Sequence, residues 1–103
     1  MRQGFDFSTS EILDWELEAI HQSLFAQRLE ISPHAYKAAR DEHIPYHAIL
    51  ETIMVGVAVS KDLPDNALGR LAGINFEYLF VARWLRAKVS WDDEYFVVTI
   101  HTF

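Results

Sequence analysis

The sequence predicts an α+β domain in which N-terminal helices precede a four-stranded, mainly antiparallel sheet. Three observations lead to this prediction. Apolar residues recur at helical spacing in the first quarter of the chain, helix-start signals follow at Pro33 and Pro45, and residues 95–102 alternate as strands do. The chain has 103 residues, half of them apolar, which is enough for a single domain spanning residues 1–103 with its own core.

The first helix is predicted over residues 9–28. Ser8 followed three positions later by Glu11 is the pattern of a capping box, in which each side chain bonds the other residue's backbone amide. Downstream, apolar residues recur on one side of the predicted helix, and acidic or amide residues take the other side. The apolar set is Ile12, Leu13, Leu17, Ile20 and Leu24.

Two further helices are expected to start near prolines. Ser32 is a good capping residue and Pro33 suits the first helical position, so the second helix should cover residues 33–43. Pro45 opens a third helix, and Gly56 should end it. The residues expected to face inward from the third helix are Ile49, Ile53 and Met54.

The second half of the chain is typical of strands and turns. The predicted strands are residues 57–61, 69–74, 76–85 and 95–102, with a loop at 62–66 and a turn at 86–94. Residues 76–85 are apolar on both sides, as in a central strand that is covered on both faces. Trp84 is therefore expected in the core, and its replacement by alanine should cost roughly 3–5 kcal/mol.

Three helices followed by a meander would leave the second face of the sheet free for a ligand or a partner. Leu79 and Val81 would face water on that side unless something covers them. The candidate covers are a second copy across a two-fold axis, a cognate protein, or the first helix folded across the face.

Charge and cysteine content narrow the class of protein. With 15 acidic and 9 basic residues the formal net charge is −6, which opposes long-range attraction to nucleic acid but permits a local basic cleft. Cysteine is absent, so a disulfide framework and thiolate metal sites are excluded and a reducing cytoplasm is expected. Residues 1–7 lack a signal-peptide core, and the longest apolar run, residues 53–59, is too short to span a bilayer, so we expect neither export nor membrane insertion.

Short motifs along the chain resemble the small bacterial DUF4258 domain. The motifs are Ser32-Pro33-His34-Ala35, Arg40, Ile44-Pro45, Ile49, Gly56-Val57 and Val97-Val98-Thr99-Ile100-His101. The resemblance covers residues 31–101 and leaves residues 1–30 as an N-terminal helical extension. That family is similar to the RelE and barnase-like group of toxin ribonucleases, which pair N-terminal helices with a four-stranded antiparallel sheet. The resemblance thus implies a RelE/barnase-like fold, metal-independent endoribonuclease activity without a cofactor, and RNA and a cognate antitoxin as partners.

Metal-free RNA cleavage needs a base for the 2′-hydroxyl proton, a cation for the phosphorane charge and an acid for the leaving oxygen. Histidine and arginine together can supply all three. The candidate catalytic residues are His34, Arg40, Arg83 and His101, with Arg70 as a further cation. His34 and Arg40 match the family motif most directly. They are six positions apart, a rotation of roughly 240° on a regular helix, so only one of them is expected to point at a given cleft.

Three of these candidates also have a structural interpretation. His34 can pack on a strand or bond to the backbone in a first helical turn, and Arg83 can form a salt bridge from an apolar strand. His101, near the end of the chain, can simply face water.

Two sets of residues are considered as possible metal ligands. His43 and His47 have the four-residue spacing of a helical metal pair, but the proline between them places them on different helices, and no third ligand is apparent. The run Asp92-Asp93-Glu94 lacks the spaced oxygen ligands of a calcium or magnesium loop and is expected to be an acidic hairpin turn. We therefore expect no bound metal.

The functional hypothesis is a toxin-type ribonuclease or an inactive relative of one. The chain has Ala38 and Glu42 where the family pattern leads us to expect arginines, and this removes positive charge near the presumed phosphate site. The alternative is a non-catalytic interaction module of the same fold that binds a partner protein or forms a homodimer. Such a module would present aromatic residues such as Trp84 and Trp91.

Overall fold

The computed structural model describes residues 2–64 and 71–103, which form three helices and a five-stranded mixed sheet. The elements are α1 (Asp14–Phe25), β1 (Glu30–Ile31), α2 (Pro33–Asp41), α3 (Tyr46–Val55), β2 (Val57–Asp62), β3 (Gly73–Phe80), β4 (Arg83–Asp92) and β5 (Glu94–Thr102). The predicted α+β class and the three helices are confirmed within these residues. The prediction of four strands is wrong, because the two-residue strand β1 adds a fifth.

The strands are ordered β1-β5-β4-β3-β2 across the sheet. From β2 to β5 the neighbouring strands are antiparallel, as a meander requires, whereas β1 runs parallel to β5. The chain passes from β1 directly into α2, and the Ser32 N–H donates to the Val97 carbonyl of β5 at 3.0 Å. β1 therefore fixes the place on the sheet at which α2 begins.

Residues 76–85 do not form one central strand. They contain the end of β3, a two-residue turn at Val81 and Ala82, and the start of β4, with Phe80 paired to Arg83. Val81 has a φ of 58°, a conformation that glycine adopts readily and a β-branched residue rarely adopts. The hairpin therefore carries no turn signal in the sequence. Residues 86–94, predicted as a turn, lie mainly in β4.

The other strand predictions have mixed outcomes. β2 and β5 agree with the strands predicted over residues 57–61 and 95–102. The strand predicted over residues 69–74 starts only at Gly73 in the structure, as the beginning of β3. Residues 65–70, which hold part of this prediction and part of the predicted loop, lie outside the described residues.

All three helices pack on one face of the sheet. α2 lies against β5, α3 against β3 and β4, and α1 against α3 and β5. The largest fully buried side chains of this layer include Phe76, Ile20, Ile49, Ile53, Ile74, Leu85 and Ile100. The inward positions of Ile49 and Ile53 are thus confirmed, whereas Met54 is 40% exposed and its predicted position is wrong. Because α1 belongs to this layer, the prediction that the first helix could cover the second face is also wrong.

α1 starts at Asp14 and not at residue 9. The Ser8 N–H and hydroxyl donate to Asp6 Oδ1 at 2.9 and 2.6 Å, so Ser8 closes a local turn and caps no helix. The capping role belongs to Glu16, whose Oε1 accepts the Leu13 N–H at 2.8 Å. The capping box predicted at Ser8 is therefore wrong, although a related contact occurs further along the chain.

α3 ends directly before Gly56, as predicted, and β2 follows at once. A Cβ atom at this position would collide with the carbonyl oxygens of Thr52 and Glu77. Glycine therefore lets the chain turn from helix to strand within one residue while β2 stays paired to β3.

Candidate functional site

α2 presents His34 and Arg40 to solvent. The Ser32 hydroxyl accepts the Ala35 N–H at 3.1 Å, the cap that the sequence predicts, and this places His34 in the first helical turn. Ala35 and Ala39 are buried against the sheet, whereas His34 and Arg40 are exposed. The two candidate residues lie about 9 Å apart along the helix axis and on different sides of it.

Arg83 holds the end of α2. Its Nη1 and Nη2 donate to the carbonyl oxygens of Glu42 and His43 at 2.7 and 2.9 Å. These carbonyls directly follow the last helical turn, where backbone acceptors lack intrahelical donors. The contacts of Arg83 are therefore structural in kind, although its partners are backbone carbonyls and not the carboxylate of a salt bridge.

His101 lies on the face of the sheet that the helices do not cover. It pairs with Arg86 of β4, and Arg86 pairs with Glu77 of β3. The neighbouring row, which contains Phe76 and Ile100, is buried beneath the helices, and successive strand residues point to opposite faces. We call the face that carries Glu77, Arg86 and His101 the open face.

The four predicted catalytic residues therefore do not converge. His34 lies at the start of α2 and the contacts of Arg83 lie at its end, about 12 Å further along the helix axis. His101 lies on the opposite face of the sheet from α2, and Arg70 is outside the described residues. Because hydrogen bonds extend only to roughly 3 Å, one phosphate group cannot contact all four.

The centre of the open face is a network of ion pairs and hydrogen bonds. Arg86 Nη1 lies 3.3 Å from Glu77 Oε2, and Lys88 Nζ lies 2.8 Å from Asp62 Oδ2. Asn75 Nδ2 also donates to Asp62 Oδ2 at 2.8 Å. Since Arg86 and Lys88 each pair with a carboxylate of the chain itself, this surface offers little uncompensated positive charge to a phosphate backbone.

One end of the open face is apolar. Leu79 pairs with Trp84, the Phe103 N–H donates to the Trp84 carbonyl at 3.1 Å, and the two aromatic rings are 6.2 Å apart. Leu79, Trp84 and Phe103 are 49, 47 and 61% exposed, and we call these three residues the apolar patch. The prediction that Trp84 belongs to the core is wrong, because it points away from the buried Leu85. Val81 is also exposed, but it lies in the turn and not on a strand.

A buried ionic cluster that was not predicted from the sequence lies on the helix side of β2. Lys61 Nζ lies 2.8 Å from Glu16 Oε2, and both side chains are wholly buried. Nζ also donates to the carbonyl oxygens of Asp6 and Glu11 at 2.6 and 3.0 Å, so all three ammonium hydrogens have acceptors. The available signal was the position of Glu16 on the apolar side of the first helix, between Leu13 and Ile20.

Tyr95 extends this cluster toward the N-terminal segment. Its hydroxyl donates to the Gly4 carbonyl at 2.8 Å, and the residue is only 3% exposed. Burial raises the pKa of Tyr95 to about 12, and the negative charge of Glu16 acts in the same direction. Tyr95 therefore stays a neutral hydrogen-bond donor across the physiological pH range.

Two other groups among the described residues have shifted pKa values. The Ser8 hydroxyl, followed by the Ser8 N–H, lowers the pKa of Asp6 below its ordinary value. Burial raises the pKa of Tyr78, and the nearby Glu51 carboxylate, 3.2 Å from the Tyr78 hydroxyl, adds to this effect. Both shifts follow from local contacts and neither marks a cleft.

The residues considered as metal ligands are separated or form a turn. His43 lies in the connection between α2 and α3, whereas His47 lies within α3. Asp92 ends β4, Asp93 has a φ of 65° and Glu94 begins β5, which confirms the predicted hairpin turn. In the part of the chain that the structure describes, no group of three His, Asp or Glu residues is placed to hold a metal ion.

Comparisons of the chain with protein-family models, with curated proteins and with solved structures find no match. The resemblance to DUF4258 and to the RelE-like ribonucleases therefore stays a prediction, and the α+β class rests on the geometry of the chain itself. Of the helices within residues 2–64 and 71–103, none combines the length and the apolar character needed to cross a bilayer.

Proposed function

We propose that this chain is a non-catalytic protein-interaction module whose partner binds the apolar patch. The observation that carries this proposal is the position of Trp84. Its side chain is about half exposed on an interior strand of the sheet, between Leu79 of β3 and Phe103 next to β5. Tryptophan is enriched among the few interface residues that carry most of the binding free energy.

The surroundings of the apolar patch suit an interface. The adjacent row of the open face holds the Glu77–Arg86 ion pair and His101, so polar groups border the apolar residues. Protein interfaces commonly have this arrangement of an apolar centre and a polar rim. Strands β3 and β4 hold Leu79 and Trp84 in place, so binding orders little that is not already ordered.

Three side chains are the centre of an interface and not the whole of it. A standard interface buries roughly 800 Å² on each partner, so a bound protein would also cover the rim of ion pairs. The partner is therefore expected to place an apolar side chain over Trp84 and polar groups over Glu77 and Arg86.

The competing hypothesis, a metal-independent toxin ribonuclease, has less support. His34, Arg83 and His101 lie apart, Arg86 and Lys88 are paired within the chain, and the formal charge is −6. Purified protein incubated with RNA should leave the RNA intact. Cleavage that disappears in a His34→Ala variant would overturn the interaction proposal and establish the ribonuclease.

Site-specific crosslinking tests the proposed surface. A photoreactive amino acid at position 84 should form a discrete adduct with one protein in the cytoplasm, the compartment that the lack of cysteine favours. The matched control is position 36, where Tyr36 is similarly exposed, at 51%, but lies on the helix side. A Leu79→Ser change should weaken the adduct from position 84. Equal adducts from both positions, or none, would contradict the proposal, and an adduct between two copies would identify the chain as its own partner.

A further inference from the structure

We propose that a groove along α1 binds a small amphoteric molecule of the amino-acid class with an apolar side chain. The groove consists of two adjoining cavities of about 230 and about 10 Å³, which share three lining residues. We call it the α1 groove, and its larger cavity is lined by Arg2, Trp15, Glu18, Ala19 and Gln22. It lies on the helix side of the sheet, away from the apolar patch, and the proposal does not depend on the interaction function.

α1 uses two different sides for its two contacts. Glu16 and Ile20 face the buried layer and are wholly inaccessible to solvent. Trp15, Glu18 and Gln22 lie three and four positions apart, the spacing that puts side chains on one side of a helix. The α1 groove therefore has a rigid wall that the core packing holds in place.

Two residues that line the α1 groove each have a buried polar atom without a hydrogen-bond partner among the described residues. The two atoms are the indole nitrogen of Trp15 and the hydroxyl of Ser23, a residue that is 2% exposed and lines the smaller cavity. Buried polar groups in folded proteins are nearly always bonded, so each such exception needs an explanation. An indole N–H is only a donor, so the partner of Trp15 must be an acceptor such as a carboxylate or carbonyl oxygen.

The charges that line the α1 groove are balanced. Arg2 and Arg28 provide two cations, and Glu18 and Glu94 provide two anions, in a chain whose formal charge is −6. A simple anion or cation would be attracted by one pair and repelled by the other. A molecule with both charges satisfies both, with its carboxylate toward Arg2 and its ammonium group toward Glu18.

The size and polarity of the cavity restrict the class of ligand further. The larger cavity, at about 230 Å³, is smaller than the roughly 300–1,000 Å³ of pockets for drug-sized ligands. The Arg2 guanidinium lies 5.1 Å from the centre of the Trp15 ring, so a carboxylate on Arg2 would bring an apolar side chain against Trp15 and Ala19. The smaller cavity has room for about one water-sized group beside Ser23.

Three probes separate the two charged contacts. L-Phenylalanine carries both groups, 3-phenylpropanoate lacks the ammonium group, and phenethylamine lacks the carboxylate. The chain has three tryptophans, so its nitrogen–proton correlation spectrum contains three indole signals that single Trp→Phe variants assign. Phenylalanine should shift the Trp15 indole signal saturably and leave the Trp84 signal in place. Each of the two analogues should bind at least about tenfold more weakly than phenylalanine.

Variants at the exposed rim test the orientation. Glu18→Gln should abolish the preference for phenylalanine over 3-phenylpropanoate but keep the preference over phenethylamine. Arg2→Gln should abolish the preference for phenylalanine over phenethylamine but keep the preference over 3-phenylpropanoate. Asp14→Asn, an exposed acidic change on the same helix outside the groove, is the matched control and should change neither preference.

Three results would overturn the proposal: no saturable shift of the Trp15 signal at millimolar phenylalanine, equal shifts with all three probes, or a shift confined to Trp84. None of these results would bear on crosslinking from position 84, so the two proposals can fail separately.

Discussion

Lys61 and Asp62 are consecutive residues of β2, and their side chains form ion pairs on opposite faces of the sheet. Lys61 pairs with Glu16 beneath the helices, where both side chains are 0% exposed. Asp62 pairs with Lys88 on the open face, where the side chains are 31 and 15% exposed. Both nitrogen–oxygen distances are 2.8 Å, so the two pairs differ in burial and not in length.

A register shift in β2 creates this contrast. Val57 pairs with Glu77 on the open face, and regular alternation from Val57 would send Lys61 to the open face and Asp62 inward. The shift between Ala58 and Ser60 inserts one extra residue and reverses the two directions. The bulge therefore decides which charge is buried, and this one local irregularity separates a structural ion pair from a surface ion pair.

The largest effect is expected from breaking the buried pair. Lys61→Met leaves the Glu16 carboxylate buried without its cation, which should lower the free energy of unfolding by about 3–5 kcal/mol. Adding Glu16→Gln should restore a large part of the loss, because a neutral amide can still accept the Leu13 N–H. Urea denaturation of both variants measures this. A double variant less stable than the single variant would contradict the assignment.

The next effect concerns pH and the same buried cluster. Because the folded-state pKa of Tyr95 is raised to about 12 from an ordinary value near 10, the folded chain holds this proton more tightly than the unfolded chain. The resulting stabilisation is fully present below about pH 10 and is lost as the pH rises through 12, a fall of roughly 2–3 kcal/mol. Urea denaturation between these pH values should show this fall in the wild type. Tyr95→Phe should lack it, and parallel pH profiles would refute the prediction.

Local sequence signals predicted the elements that depend on local physics. The Ser32 cap, the helix end at Gly56 and the alternation in β5 are all consequences of a few neighbouring residues. The turn at Val81 was not predictable in this way, because tertiary pairing of β3 with β4 holds a β-branched residue at a positive φ. Missing that turn placed Trp84 in the core, because the side on which a residue lies depends on where its strand begins.

The candidate sites likewise depend on tertiary structure that local sequence signals do not predict. The sequence identified His34, Arg83 and His101 as residue types suited to RNA chemistry, but their separation depends on strand order and helix placement. The Lys61–Glu16 pair joins residues 45 positions apart, and no local pattern pairs them. The α1 groove likewise combines Arg2 with Trp15 through tertiary packing alone.

A smaller effect is expected at the edge of the helix layer. Arg83→Met removes two charge-assisted hydrogen bonds to the end of α2, and the free energy of unfolding should fall by about 1.5–3 kcal/mol. Arg40→Met, at an exposed position on α2, should change it by no more than about 0.5 kcal/mol. Thermal or urea unfolding compares the two. Equal and negligible losses of stability in the two variants would contradict the structural role of Arg83 and make it a catalytic candidate again.

The smallest effect is expected on the open face, where Lys88→Met removes one of the partners of Asp62. Because both side chains are partly solvated, the loss should be no more than about 1 kcal/mol. Salt should also distinguish the two ion pairs, because at 1 M ionic strength the screening length falls to about 3 Å. The loss of unfolding free energy in Lys88→Met should then shrink, whereas the loss in Lys61→Met should persist. Lys88 Nζ also donates to the Leu71 carbonyl at 3.1 Å, and that bond is less sensitive to salt. A residual loss at high salt therefore measures the hydrogen bond, and a Lys88→Met loss as large as that of Lys61→Met would show that burial does not separate the two pairs.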